Sequence, residues 1–409
     1  MAGGYWTRLD HIHWDAIEPL YQEPPDYHWE TILETGLINA SAAGVEVIAI
    51  IQFAPYWAQK LPGVACGPFS EEAFDEFARF MQALVSRYSK PPYLVKYWEI
   101  GNEPDIDPTL VSPQSGYGCW GDQNDEYYGG GYYAEMLKVV YPQIKATDPD
   151  AQVLVGGLLL DCDPLNPPEA PEGSGTSKDC SSPRFIEGIL RNGGGDYFDA
   201  ISFHAYDYYF GTLGKYGNKG WHNAWNTTGP VISAKANYLR NLLTLYGHPE
   251  KYLMNTEVAI LCGSTGNESA CQTEEFARTK ANYLAQANAA AQADGLRTNM
   301  WFSLTGWRAS GLVKGNLEPL PAYQAYQTSV IRLTKAVFSN GLTAFPQVKG
   351  YEFVREGTVI WVLWSLDGEP HLVQLPSQPN AIYDVFGQLL PPDQNLTITL
   401  DPVYIEWSP

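Results

Sequence analysis

Trp98-Glu99-Ile100-Gly101-Asn102-Glu103-Pro104-Asp105 is an apolar run that gives way to polar, turn-forming residues. Leu253-Met254-Asn255-Thr256-Glu257-Val258 has the same character. Each reads as a buried strand carrying a glutamate at or near its C-terminal end. Burying a carboxylate is costly unless the group is paired or used. Two such groups on separate strands are what glycoside hydrolysis needs, one carboxyl as acid/base and the other as nucleophile or base. Glu103 and Glu257 are therefore the candidate catalytic pair.

The same rhythm extends along the chain. Strand-like runs at 5–10, 45–53, 94–102, 152–160, 198–206, 252–259 and 298–304 alternate with helical stretches near 29–43, 70–88, 131–147, 183–191, 231–246 and 273–294. A further helical stretch, 320–337, follows the last strand. The stretch 273–294 has the clearest ends: Thr273 as cap, Glu274 and Glu275 in the first turn, Gly295 as stop. Strands alternating with helices imply a parallel sheet. No GxGxxG or GxxxxGK[ST] loop occurs, so nucleotide binding has no support and a TIM-type (β/α)8 barrel is expected rather than a Rossmann sheet. Seven barrel strands are counted, not eight. Beyond residue 337 the runs shorten and alternate between Gly, Pro, Asp and Asn turns, the signature of an antiparallel β-sandwich. The expected division is a barrel catalytic domain over 1–337 and a C-terminal β-sandwich domain over 338–409.

At 409 residues the chain suits one barrel with a small appendage. A net charge of −21 argues against nucleic acid and against anionic membrane surfaces as partners. No apolar run reaches the roughly 18 residues that span a bilayer, and Met1-Ala2-Gly3-Gly4 does not read as a signal peptide. The six cysteines form no CxxC pair. Cys162 and Cys180 bracket one loop and Cys262 and Cys271 another, which suggests two disulfides and leaves Cys66 with Cys119. Disulfides would place the protein in a secreted or extracytoplasmic compartment; the alternative is six buried thiols in a cytosolic enzyme. Sequons at Asn226, Asn267 and Asn395 are compatible with secretion. His11-Ile12-His13 with Asp10 and Asp15 puts two imidazoles on one face of a strand, but no third ligand is evident. No metal and no cofactor are expected.

Five blocks occur in order at barrel spacing: Arg8 with Trp14-Asp15-Ala16-Ile17-Glu18-Pro19, Pro55-Tyr56-Trp57-Ala58, Tyr97 through Pro104, His204-Ala205-Tyr206, and Thr256-Glu257. Over residues 5–335 this pattern resembles the clan A glycoside hydrolases, and within them family 39, with family 5 as a relative. The resemblance implies a retaining, double-displacement glycosidase. Its acid/base follows Asn at the end of the fourth strand, and its nucleophile ends the seventh. On that plan the run 5–10 is the second strand, so the barrel lacks its first. Gly101 stands where the family usually has Trp. By the same resemblance Arg8 supplies a cation to Glu257, Tyr206 a hydroxyl, and Asn102 a hydrogen bond to the sugar 2-hydroxyl, while His204 lines the pocket. Trp57, Trp301 and Trp307 are candidate stacking surfaces for sugar rings. The functional expectation is hydrolysis of O-glycosidic bonds in plant or microbial poly- or oligosaccharides, of β-xylosidase, β-glucosidase or endo-glycanase type. The alternative is a catalytically impaired sugar-binding relative with an incomplete barrel. The expected partner is the carbohydrate, with self-association through the open barrel edge.

Overall fold

The computed structural model describes residues 4–113, 115–167, 180–213, 219–223, 225 and 227–408, with the side chains at 10, 11, 210–213 and 219 outside the description. All seven expected strands form. They are β1 (Trp6–His13), β2 (Glu46–Gln52), β3 (Tyr97–Asn102), β4 (Gln152–Leu158), β5 (Ala200–Leu213), β7 (Tyr252–Cys262) and β8 (Asn299–Trp301). One element was not expected: β6 (Lys219–His222) folds back antiparallel on the outer half of β5. The helices are α1 (Trp14–Ile17), α2 (Glu34–Ala42), α3 (Phe74–Tyr88), α4 (Gly130–Thr147), α5 (Arg184–Arg191), α6 (Ile232–Leu245), α7 (Glu274–Ala293) and α8 (Pro321–Leu333).

The fold is a TIM-type (β/α) barrel followed by antiparallel sheets. The parallel order is β1-β2-β3-β4-β5-β7-β8. Among the described residues, β1 and β8 end this order, so the count of seven stands for the parallel set. The strands are apolar on both faces, as parallel strands covered by helices must be; in β2 every residue after Glu46 is buried. Helix α3 buries Phe74, Phe77, Phe80, Met81, Leu84, Val85 and Tyr88, the 3–4 spacing of an amphipathic helix. Helix α7 begins as expected, with the Thr273 hydroxyl accepting the Phe276 N–H at 3.1 Å. The stretch 29–43 instead splits into a short turn at Trp29–Thr31 and α2.

The chain divides into two compact units. One comprises Tyr5–His204 and Asn237–Thr256, and the other Met1–Gly4, Ala205–Ala236 and Glu257–Pro409. The second therefore takes in the C-terminal sheets together with α7 and α8. Those sheets are built from β9 (Val337–Gly341), β10 (Val348–Arg355), β11 (Thr358–Ser365), β12 (His371–Gln374), β13 (Ala381–Tyr383), β14 (Leu389–Leu390), β15 (Asn395–Ile398) and β16 (Val403–Trp407). Six strands form one sheet, in the order β14-β13-β16-β11-β10-β9, while β12 pairs with β15. Val348, Leu363, Val373, Leu375, Ile382, Ile398 and Ile405 form their shared core. The sheets dock on α7 and α8 through polar contacts. Asn282 donates to Asp401 at 2.6 Å, Ser329 bonds Tyr404 at 2.8 Å and Arg332 pairs with Glu406 at 3.1 Å.

All three disulfides form: Cys66–Cys119, Cys162–Cys180 and Cys262–Cys271.

Candidate active site

The end of β3 is shaped by its backbone. The ladder to β4 pairs Ile100 with Val155 and Asn102 with Gly157. Between them Gly101 takes φ +84, a conformation that favours glycine. A glycine at position 101 therefore suits the chain path here. Glu103 follows at φ +53, which costs a residue with a Cβ about 1–2 kcal/mol. Several bonds hold it there. Its N–H donates to the Gly157 carbonyl at 2.9 Å, the Gly118 N–H bonds the Asn102 carbonyl, and the Trp120 N–H reaches the Pro104 carbonyl at 3.0 Å. The Cys66–Cys119 bridge anchors this last segment. Asp105 adds a clamp: its two oxygens accept the N–H groups of Leu159 and Leu160, each at 2.8 Å. Burial pushes the Asp105 carboxyl up to about 7; the two N–H groups oppose the rise, while Glu103 and Asp161 add to it.

The side chains of this unit form two linked sets. Oε1 of Glu103 lies 2.8 Å from Nδ1 of the fully buried His204. An imidazole can donate to a carboxylate or accept from a carboxylic acid, so this partner suits a group that alternates between the two. Room for His204 depends on Gly157, where a Cβ would lie 2.2 Å from Nε2. The second set centres on Glu99, fully buried on β3. Glu99 takes Arg8 Nε at 2.6 Å, the Ser202 hydroxyl, and the Thr256 hydroxyl at 3.3 Å. Arg8 also donates to Oδ1 of Asn102 at 2.7 Å. That bond turns the Asn102 amide nitrogen away from Arg8 and leaves it as the group's donor.

In the other unit Glu257 sits on β7, buried, and accepts the hydroxyl of Tyr206. Phe302 and Trp307 meet the Tyr206 ring edge-on, with centroids 6.2 and 6.4 Å away. Arg308 lies by the rings of Trp307 and Tyr208, at 5.3 and 5.4 Å. Beneath them Lys280 donates to the carbonyls of Ala309 and Gly311 at 2.8 and 2.7 Å, which fixes the loop after β8. Burial lowers its ammonium to about 8. Next to Tyr206, Asp207 accepts from Val231 N–H at 3.0 Å and from Asn223 and Tyr283 at 2.7 Å each. Burial pushes this carboxyl up to about 6.

Most of the residues singled out from the sequence fall into these sets. Arg8 joins Asn102, Glu103 joins His204, and Tyr206 joins Glu257 and Trp307. Two other tryptophans have contacts of their own. Trp57 packs against Trp14 at 5.2 Å and donates to the Glu18 carbonyl. Trp301 packs on the apolar cluster of α7 and α8 and donates to the Ser310 carbonyl at 2.9 Å. Of the His-x-His stretch, His13 meets Phe53 edge-on with centroids 4.6 Å apart, and the side chains of Asp10 and His11 lie outside the described residues. Sequence reasoning passed over Glu99, Asp105, Ser202 and Gly157. Glu99 did carry a signal, since a carboxylate in the middle of an apolar strand requires a buried cation or several donors.

Known proteins were compared with the chain in three ways. No family model matches it, and no curated protein matches it. Solved structures do. A family 39 glycoside hydrolase from the gut symbiont Bacteroides cellulosilyticus WH2 is 20% identical, with a TM-score of 0.64 over 99% of this chain and 75% of that one. A GH39 enzyme from Xanthomonas axonopodis pv. citri is 14% identical, with a TM-score of 0.55 over 99% and 88%. A GH30 endoxylanase from Clostridium papyrosolvens C71 is 11% identical, with a TM-score of 0.57 over 99% and 96%. At these identities the likeness establishes the fold, and it is the fold that the family 39 resemblance implied.

Proposed function

We propose that this chain is a retaining glycoside hydrolase in which Glu257 is the nucleophile and Glu103 the acid/base. The observation that carries this reading lies on β5. His204 and Tyr206 are two residues apart on one strand and so face the same way. One is the partner of Glu103 and the other of Glu257. Ser202, a further two residues back, bonds Glu99, so alternate residues of β5 partner Glu99, Glu103 and Glu257. The glycosidase folds found by comparison support the same reading.

In the first step a carboxylate oxygen of Glu257 attacks the anomeric carbon. The glycosidic C–O bond breaks, and Glu103 gives its proton to the departing oxygen. In the second step water gives a proton to the Glu103 carboxylate while its oxygen attacks the same carbon, which releases Glu257 and the sugar with net retention. The Tyr206 hydroxyl steadies the Glu257 anion. Asn102, oriented by Arg8, donates to the sugar 2-hydroxyl. Arg8 orients Asn102 and balances Glu99 and, as the family 39 resemblance implies, supplies a cation to Glu257, while Trp57, Trp301 and Trp307 offer rings to the sugar. The substrate is an O-glycoside of a plant or microbial poly- or oligosaccharide, of β-xylosidase, β-glucosidase or endo-glycanase type. Three disulfides and no CxxC pair suit a secreted or extracytoplasmic enzyme. Among the described residues β1 and β8 end the parallel order, and an open barrel edge would suit self-association.

Azide rescue tests the roles. Glu257→Ala should be inactive, and azide should restore turnover to a glycosyl azide of inverted configuration. Glu103→Ala should retain substrates with good leaving groups and give an azide product of retained configuration. The opposite pairing of products would overturn the assignment.

A further inference from the structure

Asp105 is a buried carboxylate that the mechanism above does not use. It is 1% exposed, and among the described residues it has no cationic partner. Its two oxygens are spent on consecutive backbone N–H groups, those of Leu159 and Leu160. The position of these contacts is informative. Glu103 has φ +53 and Leu160 has φ +48, so the clamp joins two left-handed corners, one past the end of β3 and one past the end of β4. Both corners are conformations that residues with a Cβ leave unless held. The charged and titratable groups around Asp105 are Glu103 on its own turn, Asp161 beyond β4, and Tyr128 on the segment before α4. His204 faces Glu103 from β5. No arginine or lysine is among them, and of the two carboxyls the proposed acid/base raises Asp105 more.

We infer that Asp105 is a positioning residue for Glu103: it locks the 102–105 turn onto the end of β4 and places a second carboxyl beside the acid/base. This rests on the reading of Glu103 as the proton donor. The lock fixes where the proton is delivered. The neighbouring carboxyl sets when it is available, because a negative charge beside Glu103 disfavours its ionisation and keeps it protonated to higher pH. Burial is the larger cause of the high proton affinity of Asp105, and the repulsion from Glu103 adds to it. Asp105 and Glu103 then lose their protons as a coupled pair.

The test is Asp105→Asn, which keeps the shape and one acceptor but removes the charge, assayed on aryl glycosides of poor and good leaving groups. The loss in kcat/KM should be at least tenfold greater for the poor leaving group, which needs the proton. The alkaline limb of the pH profile should also move down by about one unit. Equal losses on both substrates would mean that Asp105 only supports the fold, and an unmoved alkaline limb would remove the charge effect; either overturns the inference. If Asp105→Asn does not fold, Asp105 is followed by carbon NMR of labelled aspartate in the otherwise intact protein. Glu103→Gln should then lower the pH at which Asp105 titrates, and an unchanged titration overturns the inference. Glu103→Ala on the same two substrates keeps the two readings apart. If it loses both equally, the role of Glu103 has failed; if it spares the good leaving group while Asp105→Asn shows no selectivity, only the inference about Asp105 has failed.

Discussion

Glu99→Gln is the sharpest test of how the barrel interior is balanced. Glu99 is fully buried and the Arg8 side chain is only 10% exposed. Their contact, 2.6 Å from Nε to Oε2, is a desolvated ion pair. Removing one member of such a pair costs about 3–5 kcal/mol, because the other charge remains in a low-dielectric site. Glutamine keeps one oxygen for the Ser202 and Thr256 hydroxyls, and Arg8 keeps Asn102 Oδ1 at 2.7 Å. The loss should therefore fall near the lower end, about 3 kcal/mol, a sizeable part of a typical 5–15 kcal/mol of stability. Urea unfolding measures it as a lower midpoint at unchanged slope. Glu99→Gln with Arg8→Met removes the second buried charge as well, so the double variant should be more stable than Glu99→Gln alone. A loss under about 1 kcal/mol for Glu99→Gln, or strict additivity of the two changes, would refute the reasoning.

Three other outcomes follow from the geometry. Gly157→Ala places a Cβ 2.2 Å from His204 Nε2; it should cost about 1–3 kcal/mol by overpacking and lower kcat/KM by displacing the partner of Glu103, and a fully active variant of unchanged urea midpoint would contradict this. Replacing each disulfide by an alanine pair should cost about 2.7 kcal/mol for Cys262–Cys271, 3.2 for Cys162–Cys180 and 4.2 for Cys66–Cys119, from the chain entropy of loops with sequence separations of 9, 18 and 53; calorimetry that reverses the order would count against it. Asp207 binds its proton more tightly folded, near 6, than its ordinary 3.8. Its contribution is complete below about pH 4 and is lost as pH rises through about 6, by at most ~1.4 kcal/mol per pH unit. Urea midpoints at pH 4.5, 5.5 and 6.5 should show a smaller fall in Asp207→Asn than in the parent.

The barrel was legible because its strands are buried on both faces. Continuous apolar stretches such as Val47 to Ile51 and a helix with capped ends such as α7 need little tertiary context. The arm β6 was missed because its four residues are too short to show a period. At the site, Glu103 stood out because turn residues surround it. Glu99 did not, since its cation lies 91 residues earlier in the chain. Gly157 could not be read at all: its need is set by His204, which only the fold brings beside it. The packing of Trp301 on the cluster of α7 and α8 is likewise visible only in the fold.

The docking of the C-terminal sheets has a consequence for how the protein is made. Arg278 and Asn282 on α7 both find their partner in Asp401, 123 and 119 residues further on. Ser329 and Arg332 on α8 wait 75 and 74 residues for Tyr404 and Glu406. At about 5–20 residues per second of synthesis, α7 spends roughly 6–25 s outside its final contacts, and α8 somewhat less. The faces of these two helices that meet residues 401–406 stay uncovered until that segment is made, and ribosome-associated chaperones would meet the protein there.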